Sequence, residues 1–250
     1  MNIILPMAGL GSRYVNEGFK IPKPLITIDN QPMFINSLNF LSKEHKFYFV
    51  FNQNLLEFNI EKHIKNNFKN FYNIVLTENT EGQASTCLST ESYIDQEEEL
   101  LIAPCDSTVK FNNEKFEELK KISDCIVFTF KNNMCVNHNP NQYGWVNLNS
   151  NNEIVNFSIK KSISNIPTND NAIVGIFWYK KSKYFFNSAK KLINENIRIN
   201  GEFYVDESLK NILNSNLKIN ILQVDQYICW GTPNDFYKYN YWKRYFNNNK

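Results

Sequence analysis

Apolar and polar positions alternate in short runs through the first half of the chain, and the period of the pattern changes from run to run. The apolar stretch 2–5 reads as a buried strand and 46–51 as a second. Residues 32–41 and 55–67 switch to helical spacing, the latter with Leu56, Ile60 and Ile64 on one face. Two further strands fall at 73–77 and 100–103, with a helix over 84–92 between them. Strands alternating with helices predict an α/β sheet with crossover helices. In the second half, strand patterns occupy 125–131, 144–148, 154–159 and 172–179, and two of these are expected to form an excursion over the sheet that closes one side of it. Helices at 182–194 and 204–214, a strand at 219–224 and a final helix at 233–246 complete the reading. That last helix bears aromatics around most of its surface, Phe236, Tyr237, Tyr239, Tyr241, Trp242, Tyr245 and Phe246 among them. Core packing, rather than a partner-binding face, is the expectation.

Composition narrows the class. A chain of 250 residues can bury one large core, and no compositional break calls for a second domain. With 27 basic against 25 acidic residues the net charge is +2, so no bulk field points to nucleic acid or an anionic membrane, and any anion site must be local. Cys87, Cys105, Cys125, Cys135 and Cys229 include no Cys-x-x-Cys pair, which argues against a disulfide framework or a zinc site and for a reducing cytoplasm. The first residues enter a strand without a basic or long apolar leader, and no run approaches the ~20 apolar residues that span a bilayer, so a soluble intracellular protein is expected. His45, His63 and His138 lack metal-ligand spacing. The aromatic surplus, 20 Phe and 13 Tyr, would allow a homodimer.

Candidate chemistry begins at the end of the first strand. Leu5-Pro6-Met7-Ala8-Gly9-Leu10-Gly11-Ser12-Arg13 is a glycine-bearing turn that ends on a cation, and Pro22-Lys23-Pro24 brings a second cation on a stiffened segment. Gly9 and Gly11 permit close approach and positive φ, so backbone N–H groups can converge on a phosphate. Neither Gly-x-x-x-x-Gly-Lys-[Ser/Thr] nor Gly-x-Gly-x-x-Gly is present. Asp106 follows a very apolar strand in a turn, where a carboxylate suits a helix cap, an Asx turn or a cation such as Mg2+, which takes one or two carboxylates plus phosphate oxygens. Glu81-Gly82-Gln83-Ala84 opens a helix with a glycine and an amide able to donate and accept at a base edge. Open α/β sheets bind ligands at the carboxyl ends of their strands, where all three features lie.

The order of these motifs resembles the signature of the nucleotidyltransferases that make nucleotide-activated sugars and related phosphate esters. The resemblance covers essentially the whole chain and implies a single-domain α/β fold, a Rossmann-like mixed sheet flanked by helices of the GT-A-like nucleotidyltransferase type. About 1–110 would bind the nucleotide, about 111–232 the acceptor, with a C-terminal helix at 233–246. It implies Arg13 and Lys23 as catalytic, Leu5, Met7, Ala8, Gly9, Gly11, Ser12, Gly82, Gln83 and Asp106 around the nucleotide, and Asp106 as ligand of Mg2+. Phe157-Ser158-Ile159-Lys160-Lys161 falls where the family usually has Glu-Lys; the glutamate is absent, and of Lys160 and Lys161 the latter is favoured as the phosphate ligand. Gly175, in an acceptor-side strand, and Glu202, in Gly201-Glu202-Phe203-Tyr204, complete the acceptor set. In Trp230-Gly231-Thr232-Pro233 the residue two before the glycine is Cys229, where many relatives have a second metal-binding aspartate; this departure leaves the second ligand unassigned, with Asp225 a candidate for it.

The activity implied is transfer of a nucleoside monophosphate from an NTP to a phosphorylated small molecule, with release of pyrophosphate. The compact length resembles enzymes of capsule and surface-polysaccharide loci, including the CTP:phosphoglutamine cytidylyltransferases, which places CTP first with phosphoglutamine as acceptor. A sugar 1-phosphate with CTP, UTP, GTP or dTTP is the alternative within the class. Outside it stand a glycosyltransferase, which needs an Asp-x-Asp pair where this chain has Asp106-Ser107-Thr108, and a non-catalytic nucleotide-binding regulator.

Overall fold

The short apolar runs pair into one large sheet in the structure, a computed structural model that describes residues 1–248. The chain runs β1 (Asn2–Pro6), α1 (Ser12–Asn16), the small hairpin β2 (Thr27–Ile28) and β3 (Gln31–Pro32), α2 (Met33–Ser37), β4 (Lys46–Asn52), α3 (Ile60–Asn67) and β5 (Phe71–Leu76). It continues through α4 (Gln83–Leu88), β6 (Leu100–Ile102), β7 (Ser107–Lys110), α5 (Asn113–Ile122), β8 (Cys125–Phe130), β9 (Gly144–Leu148), β10 (Ile154–Ile159) and β11 (Asn171–Tyr179). Then come α6 (Ser182–Asn194), α7 (Val205–Leu213), β12 (Ile219–Gln223), β13 (Gln226–Cys229) and α8 (Pro233–Asn248).

The main sheet is mixed. β6, β1, β4 and β5 lie side by side and parallel; β11 runs antiparallel to β6, and β8 then β12 follow it. From β1 the chain moves to β4 and β5 on one side, then returns to β6 on the other, so the strand order reverses between β1 and β6. Such a switch point opens a crevice at the carboxyl ends of the two strands. β11 deepens it. Its register against β8 shifts between Ile173 and Phe177, around Gly175 at φ +93°, and only its second half pairs with β6 while its first residues pair with β9. The divergence leaves a gap past the end of β6 for the turn 103–106.

Strand alternation sorts the core into two layers. Ile3, Leu5, Phe47, Phe49 and Leu101 face one side of the sheet, and Ile4, Tyr48, Val50, Leu100 and Ile102 the other. A third, smaller cluster of Tyr14, Ile26, Ile28, Met33 and Trp230 takes Phe236 and Tyr239 of α8 against it.

Several expected elements are corrected. The helices of 32–41, 55–67 and 84–92 are shorter. Ser37, Ser89 and Thr90 turn their hydroxyls onto carbonyls three residues back, at 2.7 Å in each case, and end α2 and α4 by local competition. Asn59, at φ +57°, splits the second into a 3-10 turn and α3. The β9–β10 pair does not lie over the sheet; it extends the edge through β11. The aromatics of α8 are not core: none of its side chains is buried, and Tyr241, Trp242 and Phe246 are 62%, 54% and 60% exposed, because only Phe236 and Tyr239 meet the third cluster. α1, α5 and the β7–β13 ribbon were not anticipated. All five cysteines are free, and no described helix is long and apolar enough to cross a membrane.

Candidate active site

The crevice between β1 and β6 is a cleft of about 460 Å³. Its floor is the turn from β1 to α1, lined by Met7, Ala8, Gly9, Gly11, Ser12 and Arg13. Gly11 sits at φ +62°, and a Cβ there would lie 3.1 Å from Cβ of Lys23, so the residue serves both the left-handed turn and the approach of the lysine. α1 starts at this glycine with no side-chain cap, which leaves its first N–H groups to the cleft. Asn52, at the end of β4, donates to the Ala8 carbonyl at 2.8 Å and to Asn79 Oδ1 at 2.9 Å, tying the glycine turn to the loop before α4. Tyr14 donates to the Trp230 carbonyl at 2.6 Å and ties the same turn to the 230–232 segment.

Lys23 and Asp106 form an ion pair at the centre of the site, with side chains only 12% and 26% exposed. Burial works against both charges. The Asp106 carboxylate, with Cys105 beside it, overcomes that for Lys23 and raises its pKa above the ordinary value. Lys23 does the same for Asp106, assisted by Arg13 and Lys160, and holds its carboxyl below the usual range. Arg13 makes no hydrogen bond or ion pair among the described residues, so its guanidinium is available to a ligand.

The opposite wall is the start of α4. Gly82 (φ +129°) packs against the chain at 203, where a Cβ would stand 2.5 Å from the Phe203 nitrogen, and the Ala84 N–H donates to the Phe203 carbonyl at 2.9 Å. This contact places Gln83 on the cleft wall. Glu202 and Tyr204 form its rim.

A second cavity of about 190 Å³ continues from the cleft and shares Arg13, Gln83, Asp106 and Tyr204 with it. It lies over Gly175 and reaches Lys160, Asp206 and Asp235. Lys160, in a left-handed turn at φ +57°, donates to the Gln142 carbonyl, and its ammonium lies 5.1 Å from the centre of the Tyr204 ring. Burial lowers its pKa and Arg13 adds to the shift, against opposition from Asp206, Asp106 and Glu202. Asp206, in the first turn of α7, is pushed up to about 6 by burial, against Lys160 and nearby backbone N–H groups.

The structure therefore brings together most of the anticipated residues and separates three. Leu5 is fully buried beneath the turn, in the core. Lys161 is exposed and faces another depression, beside Asn156 and Ser162, so Lys160 is the one of the pair that reaches the second cavity. Asp225 is exposed, at the β12–β13 corner, and lines neither cavity. Asp235 does line the second cavity with Asp106; its Oδ2 accepts from Thr232 Oγ1 at 2.6 Å and lies 4.0 Å from Cys229 Sγ. Asn52, Tyr204, Asp206 and Asp235 were not singled out as site residues from sequence.

No cluster of three or more metal-binding side chains exists among the described residues. Mg2+ takes one or two carboxylates and completes its shell with phosphate oxygens and water. Asp106 fits such a role, with Asp235 the other carboxylate at hand. Cys229 does not: a sulfur ligand is a poor match for a hard cation, and burial, with Asp106 and Asp235, pushes its thiol up to about 12.

Comparison with known proteins supplies the family. The profile of the nucleotidyl transferase family matches residues 1–241, and the chain belongs to that family. Among solved structures, a nucleoside-diphosphate-sugar pyrophosphorylase from Vibrio cholerae RC9 superposes with TM-score 0.77 at 19% identity, covering 94% of this chain and 98% of that one. HddC from Yersinia pseudotuberculosis, complexed with GMP-PN, gives 0.66 at 16%, covering 95% and 96%. An inositol-1-phosphate CTP transferase from T. maritima gives 0.69 at 15%, covering 94% and 90%. These likenesses are of fold. Against curated protein sequences there is no significant match.

Proposed function

We propose that the protein transfers CMP from CTP to the phosphate of a small acceptor, with phosphoglutamine ranked first, and releases pyrophosphate, as a step in making capsule or surface-polysaccharide precursors in the cytoplasm. Nucleotidyl transfer is the chemistry of its family; the nucleotide and acceptor are the further reading. Residues 1–110 would hold the NTP and 111–232 the acceptor. CTP rests on the resemblance to capsule-locus cytidylyltransferases.

The observation that carries the reading is the Lys23–Asp106 pair, with Arg13 beside it, at the seam of the two cavities. An acceptor phosphate is already anionic near neutral pH, so attack on the α-phosphorus needs no protein nucleophile or strong base. A P–O bond forms to the acceptor as the bond to the β-phosphate oxygen breaks, and pyrophosphate leaves with the electron pair. The chain's task is to hold mutually repelling anions in line and to neutralise them. Arg13 and Lys23 supply fixed charge, the N–H groups of the glycine turn hold phosphate oxygens, and Gly82 and Gln83 position the base. Mg2+ bound at Asp106 would supply further charge to the phosphates. Lys160 is placed for the acceptor side.

The test is Mg2+-dependent pyrophosphate release from CTP, UTP, GTP, ATP and dTTP, each offered phosphoglutamine, glucose 1-phosphate and heptose 1-phosphate. Release with CTP and phosphoglutamine, lost in Asp106→Ala, is expected. Preference for another NTP or a sugar phosphate would replace the substrates, and release of nucleoside diphosphate instead would overturn the class of reaction.

A further inference from the structure

We propose that the outward face of α8 is a docking surface for an anionic lipid bilayer, on which the protein rests peripherally.

α8 is apolar on two sides. At about 100° per residue, Phe236, Tyr239 and Lys243 fall on one side of the helix. That side meets the rest of the chain: Phe236 and Tyr239 pack on the third cluster, and Lys243 pairs with Asp29. Tyr237, Tyr241, Trp242, Tyr245 and Phe246 fall on the opposite half, over an arc of about 180°, and are between 48% and 62% exposed. Their rings touch one another, with centroids of Trp242 at 5.3 Å from Tyr241, 5.9 Å from Tyr245 and 6.0 Å from Phe246, so they form one continuous patch. Met134, 73% exposed, borders the same depression as Tyr237 and Trp242 and extends it. A helix that is apolar all round is normally enclosed, whereas α8 is covered on one side only. A contiguous exposed patch of this kind marks a surface made to meet a partner.

Charge selects the partner. Residues 236–248 contain Lys238, Lys243 and Arg244 and no Asp or Glu. Lys238 lies within the aromatic arc and Arg244 at its edge; both are exposed, and neither forms an ion pair among the described residues. Of the acids around the helix, Asp29 is held by Lys243 and Tyr239, and Asp235 by Thr232, which leaves Glu17 at the rim. The face is therefore aromatic and basic. A second copy docked face to face would crowd like charges and take Lys238 out of water in an aromatic interface, where charges are normally scarce. A bilayer surface with anionic headgroups removes that cost: Lys238 and Arg244 keep their stems among the rings and reach lipid phosphates, while Tyr and Trp rings sit at headgroup level with their polar ends toward water. The net charge of +2 is too small to draw the whole molecule to a membrane, so the attraction is local to this helix. No described helix is long and apolar enough to cross the bilayer, so contact made through α8 is with the surface.

The experiment uses the full chain with vesicles of phosphatidylcholine alone and of phosphatidylcholine with about one third phosphatidylglycerol. Trp145, Trp178 and Trp230 are at most 2% exposed and Trp242 is 54% exposed, so a change in tryptophan emission on binding reports on α8. Partitioning by co-sedimentation should be about tenfold stronger onto the anionic vesicles and should fall when salt is raised from about 0.1 M to about 0.5 M. Emission should shift to the blue and be quenched by lipid brominated near the headgroup. Trp242→Phe should still bind but lose the shift and the quenching. Lys238→Glu with Arg244→Glu, and separately Tyr241→Ser with Phe246→Ser, should abolish binding while leaving the thermal melt and nucleotide affinity as in wild type, because all four side chains are exposed. Equal partitioning onto both vesicles, no partitioning, binding without quenching of Trp242, or binding untouched by the charge-reversed variant would overturn the proposal. A doubling of mass in light scattering that Tyr241→Ser with Phe246→Ser removes would overturn it too, and would assign the face to a second copy of the chain.

Discussion

The Lys23–Asp106 pair concentrates the energetics of the site in two residues. Each charge is taken largely out of water and is kept only because the other is there, so removing either leaves a poorly hydrated ion, which costs more than the pair contributes. On the proposed function the same two groups would find other partners when a nucleotide binds, phosphate for the ammonium and a cation for the carboxylate, and the pair would be a preformed but exchangeable contact. Asp206 behaves differently. Its folded-state pKa of about 6 lies above the ordinary carboxyl value of about 3.9, so the folded state holds the proton more tightly than the unfolded chain. Burial is the main cause, Glu207 adds to it, and Lys160 and the N–H groups of residues 206 and 207 oppose it. Stability from this group is therefore present at low pH, falls as pH rises from about 4 to about 6, and is level above that. Asp206→Asn should gain on wild type by about 1–3 kcal/mol between pH 4 and pH 8 in denaturant melts; a difference that does not change with pH would contradict the environment described for this carboxylate. Legibility at this scale followed one rule. Asp106 stands out as an acid at the end of an apolar strand; Asn52, a polar residue at the end of Lys46–Asn52, carries the same signature in weaker form, since an amide is common in loops. Asp206 was hidden because an acid in a helix's first turn looks like ordinary dipole complementarity.

At the level of elements, the site is held by contacts between pieces distant in sequence. The Gly82 turn against residue 203 joins the start of α4 to the segment before α7, and Tyr14 joins the glycine turn to the segment before α8. Gly82→Ala should be costly on two counts, a left-handed-side φ of +129° and a Cβ within 2.6 Å of the Phe203 backbone. A loss of about 2–4 kcal/mol in chemical denaturation, with weaker nucleotide binding, is expected; wild-type stability in this variant would mean the two segments are not in contact. Helix ends were the least legible elements, because Ser37, Ser89 and Thr90 compete locally for carbonyls in a way that apolar spacing does not register. α5 did announce itself, through Asn112 capping the Lys115 N–H at 3.0 Å, and could have been read from its cap. The aromatic pattern of α8 is nearly all-round, so it could not reveal which two rings meet the core.

For the whole molecule, the alternation of strand and helix signals was enough to give the class of fold, since parallel β6-β1-β4-β5 with crossovers is what such a pattern makes. The rest depended on partners that sequence does not name: which edge β9–β10 joins, and that β7 and β13, far apart in the chain, form a ribbon behind Asp106. That ribbon and the bulge at Gly175 shape the second cavity, which explains why the first cleft was more legible than the cavity beyond it. The floor of the first cleft is one local motif, the turn from β1 to α1, whereas the second cavity is assembled from about eight separate segments.

The most direct test of the central claim is a product analysis by phosphorus NMR and mass spectrometry of the protein with Mg2+, CTP and phosphoglutamine, beside Lys23→Ala. Equimolar pyrophosphate and a CMP–acceptor conjugate, formed about 10² to 10³ times more slowly by the variant, is the predicted result. Release of CDP or inorganic phosphate without a conjugate, or a variant as fast as wild type, would contradict it.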